Sequence, residues 1–403
     1  MSLLVQKYGG TSLATPERVG HVARRVVASA DAGAQVCVVV SAMGAATDDL
    51  LSLAGGVSAA PPAADLDVLL ATGEQASSAL LSMAIRDLGR AAVPLTGAQA
   101  GIVTDARHGR ARIAEVRPGQ VRAALEAGAV AVVAGFQGVC AGGRLTTLGR
   151  GGSDTTAVAL AAALGADRCE IYTDVEGVLS ADPRVVPDAR LLPAVAYEEM
   201  LELSASGARV LVGRSVEYAR RHGVRLAVRS SFEDVPGTEV TAASEVLERP
   251  AISGIAHDTS EARVTVAGIP ARPHAVAGLL RSVAEEAIDV DMIVQGAPVD
   301  GATDISFTVP EHDLLRAEAA VAPAAAAAGC RGVETDRGVG KVSVVGVGMS
   351  GHSGVAMRVF ETLSEEGIDV ELVSTSSIRI SCLVRVGAVA CAVRALHRAF
   401  GLG

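Results

Sequence analysis

From residue 263 onward the chain repeats itself, and the repeat limits what it can fold into. RVTVAGI at 263–269 is matched by KVSVVGV at 341–347, AIDVDMIV at 287–294 by GIDVELVS at 367–374, and DISFTV at 304–309 by RISCLV at 379–384. These runs are apolar and rich in β-branched residues, as strands require. A helical run separates the first two in each copy, and another follows the third. The order is β-α-β-β-α twice over, two small ferredoxin-like units in tandem. Such a pair can join edges or faces and leave symmetric clefts. It serves either as a dimerisation platform or as a ligand sensor. Glycine-rich turns such as GVGMSGHSG at 346–354, and the lack of catalytic residues there, favour the sensor.

The residues before the repeat alternate strand-like and helix-like runs. The strands are predicted at Leu3–Lys7, Val36–Val40, Ala129–Ala134, Arg168–Thr173 and Arg225–Val228. The helices are predicted at Pro16–Ser29, Glu74–Leu88, Gly119–Glu126, Asp154–Leu164, Tyr197–Ser204 and Ser215–Arg221. Thr15-Pro16 reads as an N-cap followed by proline at the first helical position. Alternation of this kind implies α/β architecture, a mainly parallel sheet covered by helices on both faces. The polar stretch SSFEDVPGTEVTAASEVLERP at 230–250 interrupts the pattern and marks a domain boundary.

Composition removes several functional classes. A chain of 403 residues with net charge −10 and 2% aromatic residues suits neither phosphate neutralisation nor base stacking, so nucleic acid is not an expected partner. Mean hydropathy is +0.38, yet no uninterrupted apolar run approaches the roughly 18–20 residues of a membrane span. The opening MSLLVQK shows no secretory pattern, and the six cysteines include no C-x-x-C pair. The expectation is a cytoplasmic enzyme or small-molecule-binding protein with reduced thiols.

Three stretches bear on phosphate. In LVQKYGGTSL at 3–12, Lys7 ends a strand, Gly9 and Gly10 let the backbone come close, and Thr11 and Ser12 add hydroxyls. This fits either a tight turn or a phosphate grip, and it is neither a P-loop nor a dinucleotide fingerprint. In TTLGRGGSDTTAVALAAAL at 146–164, Arg150, Gly151, Gly152 and Ser153 lead into an Ala-rich helix with Asp154 in its first turn. A helix start is an anion site, although Ser153 or Asp154 also serves as a cap. IYTDVEGVLSADPRVVPDARLL at 171–192 leaves a strand through Thr173 and Asp174 and enters a loop containing Asp182, Pro183 and Arg184. Asp174 there suits a ribose hydroxyl and Arg184 a phosphate, or both simply belong to a surface loop.

In order along the chain, KYGGTS, SAMG at 41–44, TLGRGGSDTTA and the YTDVEGV…ADPR block resemble the aspartokinases of the amino acid kinase family. The likeness continues through VEYAR at 216–220 and VRSS at 228–231. MIVQ, TDISFT and VSTSSIRIS then resemble the paired ACT domains of those enzymes. The resemblance implies an amino acid kinase domain over 1–245 and ACT domains over 246–335 and 336–403. It implies phosphorylation of the L-aspartate β-carboxylate by ATP with Mg²⁺, the first step of the aspartate-family amino acid pathway. A carboxylate with a pKa near ~4 needs no general base to act as nucleophile. Lys7, Asp154 and Arg209 are the implied catalytic residues. Lys7, Tyr8, Gly9, Gly10, Thr11, Ser41, Thr173, Asp174, Leu179, Asp182, Pro183, Arg184 and Arg209 are implied on the ATP side. Thr47, Glu74, Arg150, Gly151, Gly152 and Ser153 are implied around aspartate. Glu74 would take the ammonium and Arg150 the α-carboxylate. Mg²⁺ is expected on phosphates and water, with no protein ligand assigned. A homodimer or higher oligomer through the ACT domains is also implied.

The sequence departs from the family in places. GARVL carries Arg209 where a lysine is usual. The effector-site turn reads Ala271-Arg272-Pro273-His274 instead of D-x-P-G, Gln295-Gly296 stands for Gln-Asn, STSSIRIS has Ser376 and Ser377 with no acid, and GHSG replaces SHPG at 351–354. Loss of the amine-binding carboxylate removes a bond of about 1.5–3 kcal/mol. Inhibition by lysine plus threonine is therefore expected to be weak or absent. The nearest rivals are a glutamate or acetylglutamate kinase, a nicotinamide dehydrogenase and a non-catalytic ACT regulator. The tandem repeat, the missing glycine fingerprint and the set Lys7, Arg150 and Asp154 argue against each in turn.

Overall fold

Proline at the first helical position and a Thr15 side chain accepting the Arg18 N–H at 3.4 Å start the Pro16–Asp31 helix where the sequence predicts it. Val19, Val22, Ala23 and Val26, spaced at i, i+3, i+4 and i+7, form its buried stripe. That stripe packs on Val36, Val38 and Val40 of the Gln35–Val40 strand. The computed structural model describes residues 2–208, 210–243, 252–272, 274–349 and 354–403. They divide into two compact units. One comprises Met1–Val178, Leu191–Ser204 and Arg209–Leu247; the other comprises Leu179–Arg190, Ala205–Ala208 and Glu248–Gly403.

The first unit is built on an eight-stranded sheet. Its order is Ala194–Ala196, Thr238–Thr241, Leu226–Ser230, Arg168–Thr173, Leu3–Tyr8, Gln35–Val40, Val130–Ala134 and Ala92–Leu95. All neighbours run parallel except Leu226–Ser230 against Thr238–Thr241. Leu3–Tyr8 lies between Gln35–Val40 and Arg168–Thr173, so the chain leaves it to one side and returns on the other. Open α/β sheets bind ligands beyond the carboxyl ends of strands at such a switch point. A second, four-stranded sheet of Ile113–Val116, Ile102–Thr104, Gln137–Cys140 and Leu145–Thr147 was not foreseen from sequence, nor was the Ala46–Val57 helix. The Ala63–Asp87 helix starts well before the predicted Glu74. It is long and apolar enough to cross a membrane by composition, but half of that stretch is buried within the protein.

The second unit holds two antiparallel four-stranded sheets, one for each repeat. One is ordered Ile293–Gln295, Ala302–Pro310, Glu261–Pro270, Gly332–Asp336; the other Gly254–Asp258, Val339–Val345, Arg379–Arg385, Leu372–Thr375. Gly254–Asp258 precedes the first repeat in sequence yet pairs antiparallel with Val339–Val345 of the second. The strands thus do not divide at 335/336 as sequence order suggests. All six cysteines are free thiols, four of them buried.

Candidate active site

The two phosphate-type stretches of the first unit open into one cleft of about 340 Å³. Lys7 sits one residue from the carboxyl end of Leu3–Tyr8. Gly10 follows at the start of a short 3-10 turn over Thr11–Leu13. A Cβ on Gly10 would lie 2.8 Å from the Ala42 carbonyl oxygen, so only glycine lets these two loops meet. Opposite them runs Gly149-Arg150-Gly151-Gly152, leading into the Gly152–Leu164 helix. Gly151 has φ +69°, and a Cβ there would fall 2.2 Å from Val212. Among the described residues no acceptor takes the N–H of Ser153 or Asp154, which leaves the helix start able to receive an anion.

Lys7 Nζ lies 2.6 Å from Asp154 Oδ1, with the side chains only 11% and 10% exposed. The contact is an ion pair without the alignment of a hydrogen bond. Arg150 also lines the cleft and makes no bond or ion pair with another described residue. Glu74 enters from the Ala63–Asp87 helix, 4% exposed. Its Oε1 accepts the Ala42 N–H at 3.1 Å, while its Oε2 is buried with no partner among the described residues. Burial pushes the Glu74 carboxyl up to about 7, against the lowering effect of the Ala42 N–H. The cleft therefore offers a lysine, an arginine, free helix N–H groups and a carboxylate oxygen without a mate. Such a set can hold an amino acid by both its charged groups and stabilise a transferring phosphoryl.

Of the residues named from sequence, Lys7, Gly10, Ser41, Thr47, Glu74, Arg150, Gly151, Gly152, Ser153 and Asp154 all line this cleft. Gly9 stands beside it, its N–H donating to the Tyr172 carbonyl at 3.3 Å, and Thr11 is exposed in the adjoining turn. Tyr8 does not line the cleft. Its side chain is fully buried and stacks on Tyr172 with ring centroids 4.6 Å apart, so it serves the core. Thr173 ends the neighbouring strand and Asp174 follows it, both outside the cleft lining, the Thr173 hydroxyl donating to Asp174 at 3.1 Å. Leu179, Asp182, Pro183 and Arg184 belong to the second unit and are not cleft residues. There Asp182 accepts from the Arg184 backbone N–H and guanidinium. That bond holds the Asp182 carboxyl below its usual range. Arg209 lies outside the described residues.

Ala42, Gly44 and Gly149, quoted within motifs but given no role, also line the cleft, as does Phe136, which sequence reasoning missed. Phe136 has φ +67°, a strained value for a bulky residue, and nothing in GFQG signals it. In the second unit, His274 has φ +73° at the start of the Ala275–Glu285 helix. Ala271 donates to the Gly301 carbonyl. Gly296 follows the Ile293–Gln295 strand that Gln295 ends, and lines a cleft with Asp300, Asp304 and Arg331. Ser376 and Ser377 lie in the turn before Arg379–Arg385. Pro273 and 351–353 lie outside the described residues.

Residues 2–230 match the amino acid kinase family and residues 342–400 match the ACT domain. The aspartokinase of Mycolicibacterium smegmatis is 52% identical, covering 100% of this chain and 97% of its own. That of Corynebacterium glutamicum is 51% identical with the same coverage. E. coli aspartokinase III in complex with aspartate and ADP superposes with a TM-score of 0.83 at 26% identity, covering 99% of each chain. With its fold, its cleft and its full-length relatives in agreement, the chain belongs to the amino acid kinase family and, within it, to the aspartokinases with ACT domains.

Proposed function

We propose that this chain transfers the γ-phosphoryl group of ATP to the β-carboxylate of L-aspartate, yielding 4-phospho-L-aspartate and ADP. The observation that carries the reading is the buried, unpartnered Oε2 of Glu74 in the same cleft as Lys7 and Arg150. A desolvated carboxylate with an open acceptor suits the ammonium of an amino acid. Arg150 then takes the α-carboxylate, and Ser41, Thr47 and Ser153 supply hydroxyls around the substrate. A β-carboxylate oxygen attacks the γ-phosphorus, the bond to the bridging oxygen breaks, and the electrons leave with ADP. Lys7 stabilises the charge on the moving group, and Asp154 holds the lysine in place. Gly9, Gly10 and Thr11 line the phosphates, with Thr173 and Asp174 toward the rest of the nucleotide. Mg²⁺ would be held by the nucleotide phosphates and water, where it would neutralise phosphate charge. The E. coli relative binds aspartate and ADP by its own description, which supports both substrates. An ADP-release assay with aspartate, glutamate and N-acetylglutamate tests the reading. Turnover of aspartate alone is expected, and equal use of either alternative sinks it.

Weak feedback by lysine and threonine belongs to the same reading. His274 occupies a left-handed backbone position that favours glycine, and Ala271 supplies no carboxylate. An E. coli relative binds lysine by its own description. Full inhibition of this chain by lysine plus threonine at sub-millimolar concentration would refute the claim. Side-by-side ACT pairing into a homodimer is expected, and sedimentation at a single monomeric mass would exclude it.

A further inference from the structure

Asp67, on the Ala63–Asp87 helix, is 1% exposed and commits both carboxylate oxygens to one neighbouring layer. Its Oδ1 accepts from Thr147 Oγ1 at 2.5 Å and from the Gly109 N–H at 2.9 Å. Its Oδ2 pairs with His108 Nδ1 at 2.6 Å. None of these four residues lines the cleft. Thr147, however, ends the Leu145–Thr147 strand, and the next three residues are Leu148, Gly149 and Arg150. On the far flank, Arg214 donates Nη1 to the Leu148 carbonyl and Nη2 to the Ala111 carbonyl, each at 2.9 Å. The Ala111 N–H closes the circuit on the Thr147 carbonyl at 2.9 Å. Segments 108–111 and 147–148 are thereby fastened to two helices, Ala63–Asp87 on one side and Gly213–His222 on the other.

The backbone leading to Arg150 is thus held at both flanks, while its side chain remains free among the described residues. Asp67 and Glu74 are seven positions apart on one helix, two turns along the same face, or roughly 10 Å of axis. One rigid element therefore carries the anchor of the Arg150 loop and the carboxylate facing the cleft. We infer that Asp67, His108 and Arg214 are positioning residues, holding Leu148–Arg150 at a fixed distance from Glu74 so that Arg150 and Glu74 together span the two charged groups of one α-amino acid. The inference rests on the proposed roles of Arg150 and Glu74.

The test compares Thr147→Val and His108→Ala with Arg150→Ala, reading KM for L-aspartate, KM for ATP and kcat in the full-length enzyme. Each positioning variant is expected to raise KM for aspartate about tenfold, the loss of one hydrogen bond to a charged group. KM for ATP is expected to stay within about twofold. His108→Asn, whose amide nitrogen replaces Nδ1, is expected to restore most of the affinity. In an Arg150→Ala background, Thr147→Val is expected to add less than about twofold, because nothing remains to be positioned. Equal rises for both substrates, or an undiminished Thr147→Val effect without Arg150, overturn the positioning role. An unchanged aspartate KM in Arg150→Ala overturns the reading of Arg150 itself, and the inference falls with it. Thr147→Val and His108→Ala remove different partners of the same Asp67 carboxylate, so either one carries the test if the other fails to fold.

Discussion

Replacing Glu74 with Gln should damage catalysis and strengthen the fold at once. The carboxyl is 4% exposed, one oxygen is unpartnered, and burial lifts its pKa from 4.5 to about 7. Between pH 4.5 and 7 the folded chain holds a proton that the unfolded chain has already released. Stability therefore falls as pH rises through that window, and above it the full penalty of the buried charge is present. The shift corresponds to about 3 kcal/mol. Gln keeps an oxygen for the Ala42 N–H and removes the charge. Substrate-free Glu74→Gln should thus melt higher than the parent at pH 8, by roughly 2–4 °C for each kcal/mol relieved. The gap should close near pH 5.

If Glu74 takes the ammonium as proposed, the same carboxyl sets how aspartate binding responds to acid. As pH falls, the substrate's ammonium stays protonated and its carboxylates, which titrate near ~4, stay charged. Glu74 is then the group that loses its charge. With saturating ATP, KM for aspartate in the parent enzyme should rise roughly tenfold from pH 8 to pH 6. In Glu74→Gln it should be high and flat across that range. The reasoning fails if the variant melts no higher than the parent at pH 8, or if it retains the parent's pH profile for aspartate.

Other outcomes are equally concrete. Lys7→Ala should lower kcat by about a thousandfold in the ADP-release assay, and Asp154→Asn should lower it less because the lysine remains. Gly151→Ala places a side chain at φ +69° against Val212 and should cost at least about 1–3 kcal/mol in urea unfolding, with activity reduced. In the second unit, Lys341 is 1% exposed and pairs with Glu261 at 2.8 Å and with Asp291. Lys341→Met leaves Glu261 without its cation and Asp291 with only the longer contact to Arg379 at 3.9 Å, and should lower unfolding stability by about 3–5 kcal/mol.

What was readable in the sequence follows from how local its cause is. Lys7 and Arg150 stood out as candidates because each is a cation beside bare glycine backbone, Arg150 also preceding a helix start, although a turn or a cap explained either stretch equally. The two repeats were visible because a period-2 apolar run is its own evidence. Glu74 alone looks like an ordinary helix acid, and only the resemblance singled it out; its significance lies in the unpartnered oxygen that burial creates. Asp67, His108 and Arg214 gave no signal, since their partners lie between 41 and 103 positions away. The Gly254–Asp258 strand was hidden for the same reason, its partner strand beginning at Val339.

Tyr8 shows that elementary geometry can restrain a resemblance. Side chains alternate along a strand, so Lys7 and Tyr8 must point to opposite faces. Lys7 faces Asp154, and Tyr8 must therefore face the other layer, where the Pro16–Asp31 helix packs. The register completes the argument. Tyr8 lies opposite Tyr172 on the adjacent parallel strand, which stacks the two rings, and Lys7 lies opposite Ile171. Two residues beyond Ile171 on that strand comes Thr173, returned by the same alternation to the face of Lys7. The pleat thus separates two residue pairs that the motifs leave together. Lys7 and Thr173 share one face of these two strands, while Tyr8 and Tyr172 brace the other.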